Sequence, residues 1–197
     1  MPVDDLTKLF KHELGDLLFA EKTFLKGLRT MAKETSDPVV KERIVRHAAE
    51  TEGHIETLGR AFEAAGLKAR ATKCDAALGL KEEHDSFKED EDPTPAMLEA
   101  FDLGSGLRVE HYEIAGYRSA IALALALGFD ESAALLAQNL EQEEAMARFL
   151  ESHAAGALAA LRHAERAAEI EAAVEPEVER RGPATARRDE GSREEAR

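Results

Sequence analysis

Residues 67 to 95 lie between two stretches that each read as a pair of long helices, and a connection of that length is no tight helix-to-helix turn. It decides which helical bundle the chain can form. In the first stretch, Asp4 or Asp5 can cap a helix running to about Glu34, with apolar positions at Leu6, Phe10, Leu14, Leu17, Leu18, Phe24, Leu25, Leu28 and Met31. Ser36-Asp37-Pro38 restarts the chain, with Asp37 as N-cap and Pro38 as first helical residue. A second helix carries Val40, Ile44, Ala48, Ile55, Leu58 and Phe62 and stops near Gly66. With only Thr35 to Asp37 between them, the two helices are antiparallel neighbours.

The connection holds a short helix over about Asp75 to Glu89, whose acidic end, Lys88-Glu89-Asp90-Glu91-Asp92, reads as solvated loop. Thr94-Pro95 begins a third long helix to about Leu127. Gly128-Phe129-Asp130 then turns the chain, and Asp130 caps a fourth helix from Glu131 that carries Leu135, Leu136, Leu140, Phe149, Leu150, Leu158 and Leu161 and runs toward Val174. Two antiparallel hairpins joined by a full-length crossover predict an all-α protein, a ferritin-like four-helix bundle with a short extra helix in its crossover. The alternative, an up-down bundle with tight loops, conflicts with the length of 67 to 95. The bundle occupies residues 1–165; residues 166–197 are expected to be a helical extension and, from Gly182 on, a disordered polar tail.

Composition narrows the function classes. A net charge of −14 without a basic cluster in the folded part argues against nucleic acid or an anionic membrane surface as partner. The single Cys74 excludes an internal disulfide framework and fits a reducing compartment. No stretch approaches the roughly 20 apolar residues of a membrane span, and Met1-Pro2-Val3-Asp4-Asp5 lacks a secretory pattern. The expectation is a cytoplasmic protein.

Chemistry enters through Glu110 and Glu113, which share a helical face with Leu103, Leu107, Ile114, Tyr117 and Ile121. In the first hairpin Glu21 falls opposite Glu50; in the second Glu113 falls at the height of Glu143 and Glu144, of which Glu143 continues the apolar stripe. Each pair lies about 14 to 16 residues from its own turn, roughly 20 Å along the helix, so carboxylates from four helices share one level. Glu110 is displaced by one turn toward His47, and His54 and Asp16 the other way. Asp16 replaces Glu21 if the first helix is rotated. Carboxylates about 4 Å apart repel by about 4 kcal/mol per pair at an effective dielectric of 20. Protons, ion pairs from Arg108, Arg118 or Arg148, or metal ions must compensate. Carboxylates with one or two imidazoles suit iron or manganese, and bundles of this class hold such ion pairs in their core.

Blander readings stand beside this one. An interior-leaning Glu alone is a boundary residue with its head in solvent. His47 and His54 alone are surface histidines, His54 being the better ligand candidate; Tyr112 and Tyr117 are packing residues, with a hydrogen bond from Tyr117 to a ligand the minor option; and Cys74 is a small apolar residue. The motif departs from the usual di-metal pattern of Glu-x-x-His on two helices: His54 follows Glu50 by four residues with Gly53 at the third, and Glu143 is followed by Met146 and Ala147. The fourth helix is thus the weakest quarter of the site.

Leu17-Leu18-Phe19-Ala20-Glu21-Lys22, Glu50-Thr51-Glu52-Gly53-His54, Lys73-Cys74 and above all Val109-Glu110-His111-Tyr112-Glu113-Ile114-Ala115 resemble the bacterial YciF-like family of ferritin-like stress-response proteins, in order and with similar spacing over residues 5 to 160. The resemblance implies the same bundle, a homodimer, a dinuclear site for two iron or manganese ions and a link to stress. Carried over by position, it supports Glu50, Glu110, Glu113 and Glu143 and makes Asp16 and Glu21 both family positions; relatives have Gln in place of His54. Two functions follow as expectations: a metal centre acting on a small oxidant, oxygen or peroxide, or a non-enzymatic stress or interaction protein that keeps the bundle without the metal. A storage cage would have to accommodate the tail and the crossover helix on its shell.

Overall fold

A computed structural model describes residues 2–180, with side chains to residue 172. Among them are five helices and no strand: α1 (Leu6–Glu34), α2 (Pro38–Ala64), α3 (Asp75–Asp90), α4 (Pro95–Leu127) and α5 (Asp130–Arg180). No described helix is long and apolar enough to cross a membrane. The described chain divides into two units, the boundary falling between Leu158 and Ala159. In the second, α5 continues to Arg180 and Arg162 spans Glu165 and Glu169 along its surface at 3.1 and 3.4 Å. The tail expected to be disordered from Gly182 lies outside the described residues.

Local chemistry sets the helix ends. Asp5 accepts from the Lys8 amide at 2.7 Å, and Asp37 accepts from the amides of Val39 and Val40 at 2.8 and 3.2 Å, with Pro38 behind it. Thr94 caps α4 in the same way. Gly128, at φ 73°, closes α4 with its own and the next amide returned to Leu125 and Ala124. Two boundaries shift from expectation: Asp130 is the first residue of α5, its charge placed at the positive end of the helix, and α3 extends through Asp90.

The crossover is fixed on α1. Thr72 donates its amide to the Gly15 carbonyl at 2.8 Å, and a Cβ on Gly15 would strike the Thr72 side chain and sit 2.8 Å from the Arg70 carbonyl oxygen. From there Cys74 caps α3 through its sulfur, which accepts from the Ala77 amide at 3.2 Å and lies 2.9 Å from the Tyr112 hydroxyl. Cys74 therefore does more than fill space. Tyr112 in turn donates to Asp16, so α1, α3 and α4 meet through one chain of polar contacts beside an apolar patch of Ala20, Phe24, Cys74 and Ala77.

The bundle interior has two apolar ends and a polar waist. One end gathers Phe10, Leu14, Leu17, Leu58, Phe62, Ala120 and Leu136; the other gathers Val40, Ile44, Leu103, Met146 and Leu150. Between them the four long helices contribute ionisable or polar side chains that are almost wholly buried: Glu21 from α1, His47, Thr51 and His54 from α2, Glu110 and Glu113 from α4, Asn139 and Glu143 from α5. Large apolar side chains there would each contribute about 1.5–3 kcal/mol by burial. The waist forgoes that, and its chemistry has to be accounted for.

Candidate metal centre

The waist residues all continue 3–4 spaced stripes, which is why the helices turn them inward. On α2 the series is Val40, Ile44, His47, Thr51, His54, Leu58; on α5 it is Leu136, Asn139, Glu143, Met146, Leu150. His47 and His54, which taken alone read as surface histidines, are each 1% exposed. The reason is that polar residues occupying interior positions of a stripe are invisible to a count of apolar ones.

Two groups of three donors form around one shared residue. Glu21, His54 and Glu143 make the first, and His47, Glu110 and Glu143 the second, with the donor atoms of each group within 4.8 Å of one another. His54 Nδ1 lies 2.8 Å from Glu143 Oε1 and 3.4 Å from Glu21 Oε1; His47 Nε2 lies 3.3 Å from both Glu110 Oε1 and Glu143 Oε2. Glu113 is buried beside the three other carboxylates. Despite these short separations, Glu21 Oε2, His54 Nδ1, Glu110 Oε2, Glu113 Oε1 and both oxygens of Glu143 have no hydrogen-bond partner. They face one another across the waist, with both imidazoles within ion-pair distance of Glu143, so that either protons or a cation can balance the acids.

The far sides of both imidazoles are held. His47 gives its Nδ1 proton to Glu50 at 3.2 Å, and His54 gives its Nε2 proton to Gln142 Oε1 at 2.7 Å, so Nε2 of the first and Nδ1 of the second face inward. Tyr117, 0% exposed, donates its hydroxyl proton to Glu21 and accepts from Asn139 Nδ2 at 2.9 Å; Asn139 also donates to the His54 carbonyl at 3.3 Å. Tyr117 is thus bonded to a donor of the centre and is not merely a packing residue.

The electrostatics follow from burial and from the two imidazoles. Burial, reinforced by Glu21, Glu143 and Glu110, pushes the Glu113 carboxyl well above its ordinary value. Burial also raises Glu21, and raises Glu110 to about 8 against the pull of His47. Glu143 goes the other way: burial opposes its charge, but His47 and His54 hold it below the usual carboxylate range. Burial likewise disfavours charge on His54, yet Glu143 and Glu21 push it up to about 10, and Glu110, Glu143 and Glu50 hold His47 well above its ordinary value. Without a metal, protons and two imidazolium rings balance the acids.

Sequence candidates are sorted accordingly. Glu21, His54, Glu110 and Glu143 come together with His47, and Glu113 lies among them. Glu50 does not converge: both of its oxygens are taken, by Arg43 at 2.9 Å, Arg46 at 3.0 Å and His47. Asp16 is held by Tyr112 away from the waist. The arginines proposed as compensators stay outside, Arg108 on Glu83 at 3.2 Å and Arg118 and Arg148 on Glu144 at 2.7 and 3.8 Å. The fourth helix is the hub, because Glu143 belongs to both groups, while Met146 packs in the apolar end.

Several bacterial proteins share this shape. The chain is 34% identical over 146 residues to Protein YciF of Escherichia coli strain K12, spanning 74% of this chain and 87% of that one. The crystal structure of the E. coli stress protein YciF superimposes with a TM-score of 0.74 at 32% identity, covering 79% of this chain and 98% of that one. YcfI from Rhodopseudomonas palustris matches with a TM-score of 0.73, also at 32% identity, over 76% and 94% of the two chains. Residues 5–164 match the family model described as Domain of unknown function (DUF892), so by both length and identity this chain belongs to the DUF892 family, alongside YciF.

Proposed function

We propose that the protein is a dinuclear metal-binding member of the bacterial stress response, in which Glu21, His54 and Glu143 would hold one ion and His47, Glu110 and Glu143 the other. The observation that carries this is the set of six buried donor atoms without hydrogen-bond partners. A donor set of carboxylate oxygens with one imidazole per position suits iron or manganese. Such ions, when bound, supply Lewis acidity and one-electron chemistry toward oxygen or peroxide. The chain's own part is to hold the donors in place on four helices, to exclude bulk water with the two apolar ends, and to fix Glu21 with the hydrogen bond donated by the Tyr117 hydroxyl. The role in stress rests on kinship with the E. coli stress protein.

Elemental analysis of protein expressed with iron and manganese supplied tests this. The expected result is two ions per chain, one per donor group. Glu143→Ala should lose both, whereas Glu21→Ala should lose one. A metal-free wild type that takes up neither ion on titration would sink the reading.

One observation favours a second function. The two imidazoles sit close enough to Glu143 to neutralise the waist as ion pairs without any metal. A non-enzymatic stress or interaction protein built this way would tolerate Glu113→Gln with equal or higher stability whether metal is present or not. Destabilisation of that variant only in the presence of metal removes this option.

A further inference from the structure

The two donor groups share Glu143 but differ in what stands behind their imidazoles. His47 is backed by Glu50, a carboxylate fixed by Arg43 and Arg46, at 3.2 Å. His54 is backed by Gln142, a neutral amide, at 2.7 Å. A carboxylate accepting the far proton of a ligating imidazole makes the ring a stronger donor, and a neutral carbonyl does so less. Arg43 and Arg46 temper the charge on Glu50, but they also keep it oriented and leave it an anionic acceptor. A second difference works in the same direction. Glu21 shares one oxygen with the Tyr117 proton, which withdraws electron density from that carboxylate, while Glu110 has no such donor and its Oε2 is unpartnered.

Resting on the dinuclear reading, we propose that the two metal positions are unequal: the His47–Glu110 position binds a divalent transition metal more tightly and fills first, and the His54–Glu21 position is the weaker, exchangeable one. Glu50 is a positioning residue that acts through His47. This explains why an acid at a family ligand position spends both oxygens on arginines and an imidazole. The asymmetry gives the centre one resident ion and one that can come and go.

The test is a cobalt(II) titration of the full-length, metal-stripped chain, followed by visible absorption and by equilibrium dialysis. Wild type should show two steps whose dissociation constants differ by at least about tenfold. Glu50→Gln, which keeps an oxygen acceptor but removes the charge, should weaken the tight step alone by about tenfold to a hundredfold and alter the spectrum of the first equivalent only. Gln142→Glu, on an exposed position, should tighten the weak step by a similar factor and narrow the gap, a gain that mere structural damage cannot produce. Should Glu50→Gln fail to fold by circular dichroism, Gln142→Glu decides alone. Two indistinguishable wild-type steps, or variants that shift both steps together or neither, overturn the inference while the dinuclear reading stands. No cobalt bound at all overturns both.

Discussion

A single hydroxyl illustrates how tightly the waist is balanced. Tyr117 donates to Glu21 and accepts from Asn139, so Tyr117→Phe leaves a buried carboxylate oxygen and a buried amide each short of a partner. The expected cost is about 1–3 kcal/mol, read as a lower denaturant midpoint of the metal-free protein at unchanged slope. An unaltered midpoint would mean that Tyr117 only fills space. At this scale the sequence is partly legible. Glu21, Glu110, Glu113 and Glu143 are visible as acids within or beside apolar stripes at matching heights. His47 is not, because Ala48 and Ile55 are as plausible as His47 and His54 for the inward face of α2 when only apolar residues are counted. The unbroken series 40, 44, 47, 51, 54, 58 is the signal that distinguishes the two faces. Glu50 fails as an inward donor for the same reason: it lies off that series and meets Arg43 and Arg46 instead.

Among the helices, ends were easier to read than routes. Asp5, Asp37-Pro38, Thr94-Pro95 and Gly128 carry their own short-range physics, and all four mark boundaries seen in the structure. The path of the crossover has no local signature, since it depends on the close approach of residues 70–72 to Gly15. That approach gives a paired prediction on α1. Gly15→Ala meets a backbone carbonyl that cannot step aside and should destabilise by about 1–3 kcal/mol. Gly27→Ala, where nothing lies within 4 Å, should stabilise by about 0.5–1 kcal/mol through helix propensity. Thermal melts of the two variants should move in opposite directions; a shared direction would remove the close approach as the fixing contact.

For the molecule as a whole, the balance of protons in the waist predicts the dependence of stability on pH. Glu110 keeps its proton to about 8 when folded against an ordinary 4.5, so between those values rising pH favours the unfolded chain, which ionises freely. His54 holds its proton to about 10 against an ordinary 6.5; its stabilisation is complete below 6.5 and is lost as pH rises toward 10. Glu50, drawn down to about 2 chiefly by His47 and then by Arg43, contributes stability that is complete above 4.5 and is lost progressively as pH falls from there through 2. The metal-free protein should therefore be most stable near pH 5 and lose stability steadily to pH 9. Metal binding requires Glu110 and the inward nitrogen of His54 to be deprotonated, so excess manganese should flatten or reverse that decline. Melting curves across this range, with chelator and with manganese, measure both slopes; identical slopes would count against a metal at the waist.

His47 and His54 sit seven residues apart on one helix, a separation of about 10.5 Å along its axis. The two side chains lean toward each other and bring their rings to 6.2 Å, a spacing set within the single helix α2. Loops hold no part of that measurement. The surface turn from Glu91 to Thr94 can accept an insertion, a reporter or a foreign epitope without recalibrating the donors, which makes this bundle a chassis whose exterior is editable while its interior ruler stays constant.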